Sequence, residues 1–195
     1  MFERFTRGAR ATVKGAVARA ERTGAGSVTE EHLLLALLEQ DGGRASFAVT
    51  ALGLHDRRSS LEASFAEARR RSGLTRADTE ALAGIGIDVD AIVSHVEGTH
   101  GEGALDADRG GRRWWRSGHR PFTPGAKTVL ENSLRLALGR GDRFIGEEHL
   151  LLALTAKPGS VADVLAEHGA TYTAVQRALY GSDDGAAGRG RAQAG

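Results

Sequence analysis

The chain of 195 residues contains no cysteine. That absence excludes disulfides and thiolate metal sites, and it suits a reducing compartment. Proline occurs three times, so long stretches are free of the residue that breaks helices. Aromatic residues make up 5% of the chain, which leaves aliphatic side chains and alanine to fill the core. Neither sign of charge dominates, since 26 Lys and Arg stand against 25 Asp and Glu. A chain so balanced makes no global electrostatic case for nucleic acid or for an anionic membrane surface. No apolar run approaches the length of a membrane span, and Met1-Phe2-Glu3-Arg4 lacks the apolar stretch of a signal peptide. These absences predict a cytoplasmic, helical protein without a membrane span.

What is present is a repeat. Glu30-Glu31-His32-Leu33-Leu34-Leu35-Ala36-Leu37 returns as Glu147-Glu148-His149-Leu150-Leu151-Leu152-Ala153-Leu154, an offset of 117 residues. The same offset aligns Phe5-Thr6 with Phe122-Thr123, Val13 with Leu130, Val17 with Leu134 and Gly24 with Gly141. A match of this length without a gap is an internal duplication.

The apolar spacing predicts an all-α chain. Phe5, Ala9, Val13, Ala16, Val17 and Ala20 form one stripe of a helix over 6–23, with Thr6 as its N-cap. Ser27-Val28-Thr29-Glu30 offers a capping box for a second helix over 29–39. That helix is apolar on nearly all sides beyond its first turn and belongs at the centre of its lobe. Helices over about 44–52, 56–71, 77–83 and 88–97 follow. The second copy starts with Thr123 as N-cap and Pro124 at the first helical position. It continues through a central helix over 147–156, then two more, ending near Gly169 and Leu179. The first copy thus holds one helix pair more than the second, and either of its later pairs can be the counterpart of the second copy's last pair. The expected organisation is a first lobe over 1–98, a linker over 99–120, a second lobe over 121–181 and a disordered tail over 182–195, rich in Gly, Ala, Asp and Arg. Trp114-Trp115, set among Arg112, Arg113 and Arg116, either anchors the linker to a lobe or meets a partner, as aromatic and basic groups meet stacked bases.

No motif carries catalysis. Gly125-Ala126-Lys127-Thr128 has the lysine at the wrong spacing for a phosphate loop and follows no strand. Glu31 and His32 are adjacent, hence about 100° apart on a helix, and cannot share a metal ion. His32 and His149 read as residues that pack or cap a helix start. Glu30, Glu31, Glu147 and Glu148 read as carboxylates at a helix's positive end. No nucleophile has a recognisable base, so the chain reads as a non-enzyme with no cofactor or metal.

Met1-Phe2-Glu3-Arg4-Phe5-Thr6, the two Glu-His-Leu-Leu-Leu-Ala-Leu cores and Pro121-Phe122-Thr123-Pro124 together resemble the N-terminal double Clp repeat of ClpC-type AAA+ unfoldases. The resemblance implies two pseudo-symmetric four-helix lobes packed together, here with an extra helix pair in the first. It implies a non-catalytic docking platform for substrates and adaptors. It also implies phosphoarginine sites in which Glu31 and Glu148 take the guanidinium, while Thr6 and Thr123 hold the phosphate with helix-start N–H groups. The chain departs from that pattern: Glu30 and Glu147 add negative charge near the phosphate, and Gly125 stands where an arginine is usual. A face that binds cyclic-peptide antibiotics in actinobacterial members maps to Phe2, Val13, Phe122, Lys127 and Glu131, with Val17 in place of a glutamine. Nothing after Gly181 resembles an ATPase module, so the expectation is a free-standing Clp repeat protein. Its expected ligands are peptides, substrate or adaptor signals, or antibiotic peptides, and it acts as decoy for or accessory to the ClpC–ClpP machinery. The alternative is a regulatory partner of Clp components acting through the Arg/Trp linker.

Overall fold

The computed structural model describes residues 2–105 and 120–181, apart from the side chain of Phe2. Trp114-Trp115 and the tail over 182–195 lie outside the described residues. A 3-10 turn at Phe2–Arg4 leads into ten helices among those residues: α1 Arg7–Thr23, α2 Glu30–Leu38, α3 Gly43–Ala51, α4 Arg58–Arg70, α5 Arg76–Gly84, α6 Val89–His100, α7 Pro124–Gly139, α8 Glu147–Ala156, α9 Ser160–Glu167 and α10 Tyr172–Tyr180. The all-α class and the two repeats are as the sequence implies.

Each repeat begins in the same way. The hydroxyl of Thr6 accepts the Ala9 N–H, and that of Thr123 accepts the Ala126 N–H, so both first helices are capped by the predicted threonine. Both end on a left-handed glycine, Gly24 and Gly141, followed by the matched bonds Ala25 N–H to Ala20 O and Asp142 N–H to Ala137 O. The capping box of α2 differs from the expected one. Thr29 is the N-cap, so the third helical residue is His32, and its ring Nδ1 accepts the Thr29 N–H at 3.1 Å. His149 repeats this in α8 by accepting the Gly146 N–H at 3.0 Å.

The central helices α2 and α8 are enclosed. Leu33, Leu34 and Leu37 in one, and Leu150, Leu151 and Leu154 in the other, are at most 2% exposed. Burying each such leucine is worth roughly 1.5–3 kcal/mol before entropy is counted. They pack against α1 and α7 respectively and against each other, so one core serves both repeats.

The repeats are joined by a crossed pair of short bridges. Phe5 pairs with Ile145, and Phe122 pairs with Val28. Thr6 N–H donates to Ile145 O and Thr123 N–H to Val28 O, both at 2.9 Å, while Ile145 N–H donates to Arg4 O and Val28 N–H to Pro121 O. Each bond becomes its twin when both residue numbers shift by 117, one forward and one back, which is the signature of an approximate two-fold. The last helices cross as well: α4 packs on α9 and α10 packs on α3. This exchange identifies α4 as the counterpart of α10 and the pair α5–α6 as the extra one. That pair has little core of its own. No residue of α5 is buried, and Ile85, Ile87 and Ile92 are exposed.

Candidate functional site

The crossed bridges bring each repeat's first-helix start beneath the other repeat's second helix. Thr6 Oγ1 donates to Glu147 Oε2 at 3.1 Å, and Thr123 Oγ1 donates to Glu30 Oε2 at 3.0 Å. A Cβ at Gly8 or at Gly125 would collide with these same carboxylates, so both glycines exist as space for them. The glutamates therefore sit over the positive ends of the opposite repeat's helices, where negative charge is favoured. Lys157 Nζ adds a 2.8 Å contact to Glu30 Oε1. Burial works to raise the Glu30 pKa, but the hydrogen bond and charge of Lys157, a backbone N–H and Thr123 outweigh it and hold the carboxyl below its ordinary value.

The carboxylates on Thr6 and Thr123 are thus Glu147 and Glu30, each one residue before the Glu148 and Glu31 that the resemblance assigned. Glu31 is held elsewhere, by the guanidinium of Arg69 on α4. Glu148 folds back over its own helix start, where a Cβ on Gly146 would collide with it. In the first repeat that space belongs to Thr29, whose hydroxyl lies 2.7 Å from His32 Nδ1, and so Glu31 turns outward to Arg69.

The two histidines share a role and differ in surroundings. His149 is 1% exposed, and its Nε2 lies 3.0 Å from Asp142 Oδ2. Because Nδ1 accepts a backbone N–H, the neutral ring carries its proton on Nε2 and donates it to Asp142. The position of Asp142 is Ala25 in the first repeat, and among the described residues His32 Nε2 finds the Thr23 hydroxyl at 3.5 Å. Burial and then Arg19, Arg69 and Arg120 push the His32 pKa down to about 4.

The residues of the antibiotic-type face divide by depth. Val13 is buried within α1, and Val17 and Phe122 are half-buried against the shared core. Lys127 and Glu131 are exposed one turn apart on α7. Phe2 lies in the first turn, and its side chain is outside what is described. Among the described residues, no group of three or more His, Asp and Glu could hold a metal ion. No helix there is long and apolar enough to cross a membrane. Sequence reasoning missed the cross-repeat reach of Glu30 and Glu147. The available signal was Gly8 standing one repeat offset before Gly125.

The profile of the Clp repeat (R) N-terminal domain matches residues 4–77, 72–168 and 121–193. The chain is 30% identical over 162 residues to the chloroplastic ATP-dependent Clp protease ATP-binding subunit ClpA homolog of Brassica napus, covering 83% of this chain and 14% of that protein. The chloroplastic chaperone protein ClpC1 of Arabidopsis thaliana is also 30% identical over 162 residues, and the match covers 13% of it. The chain therefore spans about one seventh of the length of these relatives. Among solved structures, the N-terminal domain of the chaperone ClpD from Arabidopsis thaliana superposes with a TM-score of 0.53 at 22% identity, covering 92% of this chain and 94% of that one.

Proposed function

The chain belongs to the Clp repeat (R) N-terminal domain family, and we propose that it is a non-catalytic docking module that holds polypeptide segments for a Clp unfoldase or away from it. The family is a helical interaction fold of Clp chaperones, and the relatives named above are ATP-binding subunits and chaperones of that class. The observation that carries the reading is the fused double repeat. It offers Phe122, half-buried just before α7, with Lys127 and Glu131 exposed on that helix, and half-buried Val17 on α1. Apolar surface with a few fixed polar groups suits an apolar peptide, cyclic or linear. Partners in this reading are peptides, substrate or adaptor signals and the ClpC–ClpP machinery, in the compartment where that machinery works.

A phosphoarginine ligand has less support. Glu147 and Glu30 already fill the helix starts at Thr6 and Thr123, and Arg69 holds Glu31. A phosphate placed there would meet carboxylates instead of free N–H groups. The test is fluorescence anisotropy with a dye-labelled cyclic peptide and a dye-labelled unfolded polypeptide. Saturable binding that Phe122→Ala with Lys127→Ala weakens about tenfold or more supports the docking face. No binding of either probe at high micromolar protein overturns it.

A further inference from the structure

A cavity of about 360 Å³ opens in the first lobe between α1, α2 and α4, lined by Arg19, Thr23, Glu31, His32, Glu62 and Arg69 among others. In the second lobe α10 packs along α8, with Arg140 stacked 3.4 Å from the Tyr180 ring. The first lobe's α4 makes no comparable seam with α2 and is tied across the gap by the ion pairs Arg69–Glu31 and Arg58–Glu39.

The duplication shows what belongs in this gap. In the second lobe the histidine Nε2 donates to the carboxylate of Asp142. In the first lobe the acid is replaced by Ala25, while the donor remains. His32 Nε2 keeps its proton, because Nδ1 accepts from Thr29, and among the described residues it has no acceptor nearer than 3.5 Å. Beside it, Arg19 Nε is buried without a hydrogen-bond partner among those residues. A buried donor left unmatched is costly, so the cavity is short of an acceptor. Arg19 and Arg69 both line this cavity, Arg19 paired with Glu39 and Arg69 with Glu31. Burial alone does not account for how far His32 is held from its charged form, and three arginines contribute to that shift.

We propose that this cavity is a carboxylate-binding site, in which a ligand carboxylate takes the place that Asp142 fills in the second lobe. It accepts from His32 Nε2 and Arg19 Nε, with Arg69 at its rim. The source is an acidic side chain of a bound polypeptide. To that extent the proposal rests on the docking reading, while the cavity, the long His32 contact and the unpartnered Arg19 Nε do not.

The experiment is an NMR titration of the ¹⁵N-labelled full chain, reading the His32 Nε2 and Arg19 Nε resonances with His149 as internal reference. The probes are acetyl-Asp-amide, acetyl-Gly, acetyl-Asn-amide and inorganic phosphate. Saturable shifts at His32 and Arg19 with acetyl-Asp-amide, none at His149 and none with acetyl-Asn-amide, are the expected result. Tighter binding of acetyl-Gly or of phosphate would move the source to a chain terminus or a phosphate and overturn the side-chain assignment. Ala25→Asp supplies the missing acid within the chain and should weaken acetyl-Asp-amide about tenfold or more, as should Arg19→Gln. If Ala25→Asp does not fold, Arg19→Gln alone decides. No saturable shift at His32, or unchanged binding in Arg19→Gln, sinks the proposal. It leaves the α1 and α7 face standing, because Phe122→Ala with Lys127→Ala tests that separately.

Discussion

In the first repeat Thr29 precedes the buried helix, and in the second Gly146 stands in its place. The threonine hydroxyl occupies the space above the helix start and turns Glu31 outward to Arg69, whereas the glycine leaves room for Glu148 to fold back. A second exchange, Ala25 for Asp142, leaves one histidine among arginines and gives the other a carboxylate. The third lies between the fourth helices, since α10 closes on α8 while α4 stands off from α2. The backbone frame has thus kept its symmetry, while the polar groups set on it have diverged, so that the second lobe's histidine meets a carboxylate and the first lobe's makes a long contact to a hydroxyl. A duplicated fold can hold its core constant and vary ligand chemistry through a few positions at helix starts.

The comparison is sharpened first by the core. Leu34 and Leu151 are equivalent and fully buried, so Leu34→Ala and Leu151→Ala should each cost about 2–5 kcal/mol and lower the midpoint of one shared denaturation transition. Two separate transitions in either variant would show that the lobes unfold independently and that the joint core is not cooperative. The histidines should then divide the lobes. His149→Ala removes a cap and the bond to Asp142 and is expected to cost about 2–3 kcal/mol, against about 1 kcal/mol for His32→Ala, whose Nε2 makes only a long contact. Equal losses by urea denaturation would break the contrast.

Next comes Glu30, whose pKa is lowered in the folded chain. Its stabilisation is present above the unfolded value of about 4.5 and is lost as pH falls through the lower folded value. Glu30→Gln should therefore cost about 1 kcal/mol near neutral pH, with the difference from the parent chain shrinking to nothing in acid. A difference that grows on acidification would reverse the assignment. The smallest effect is expected from Arg69→Gln. That pair is partly exposed, so the loss should stay within about 1 kcal/mol. Among the described residues, the second lobe has no matching arginine pair on Glu148 to lose.

Much of this frame is legible in the chain itself. The two Glu-Glu-His-Leu-Leu-Leu-Ala-Leu stretches mark the central helices, and Thr6 and Thr123 mark the starts of the flanking ones, because burial and capping are local demands that residue order records. The pair α5–α6 could not be singled out that way. What marks α4 as the true fourth helix is its contact with α9, which lies in the other repeat. The same limit hid the cross-repeat bonds of Glu30 and Glu147. A carboxylate in a first turn is already explained by its own helix, and nothing local says that it reaches another. Gly125 read as a lost arginine, whereas in the fold it is the room that Glu30 occupies. The proposed docking residues Phe2, Val13, Val17, Phe122, Lys127 and Glu131 came through resemblance, since a binding face that mixes buried and exposed positions leaves no periodic trace.

The exchanged fourth helices carry a consequence for handling the molecule. Neither half owns all the surfaces it needs: severed between Leu105 and Arg120, each piece would present an uncovered apolar flank shaped for the other, together with one strand of each short bridge. Such fragments should be poor solitary folders and good mates, reassembling when mixed. Fused to two separate proteins, they would form a conditional clasp that reports when those proteins meet.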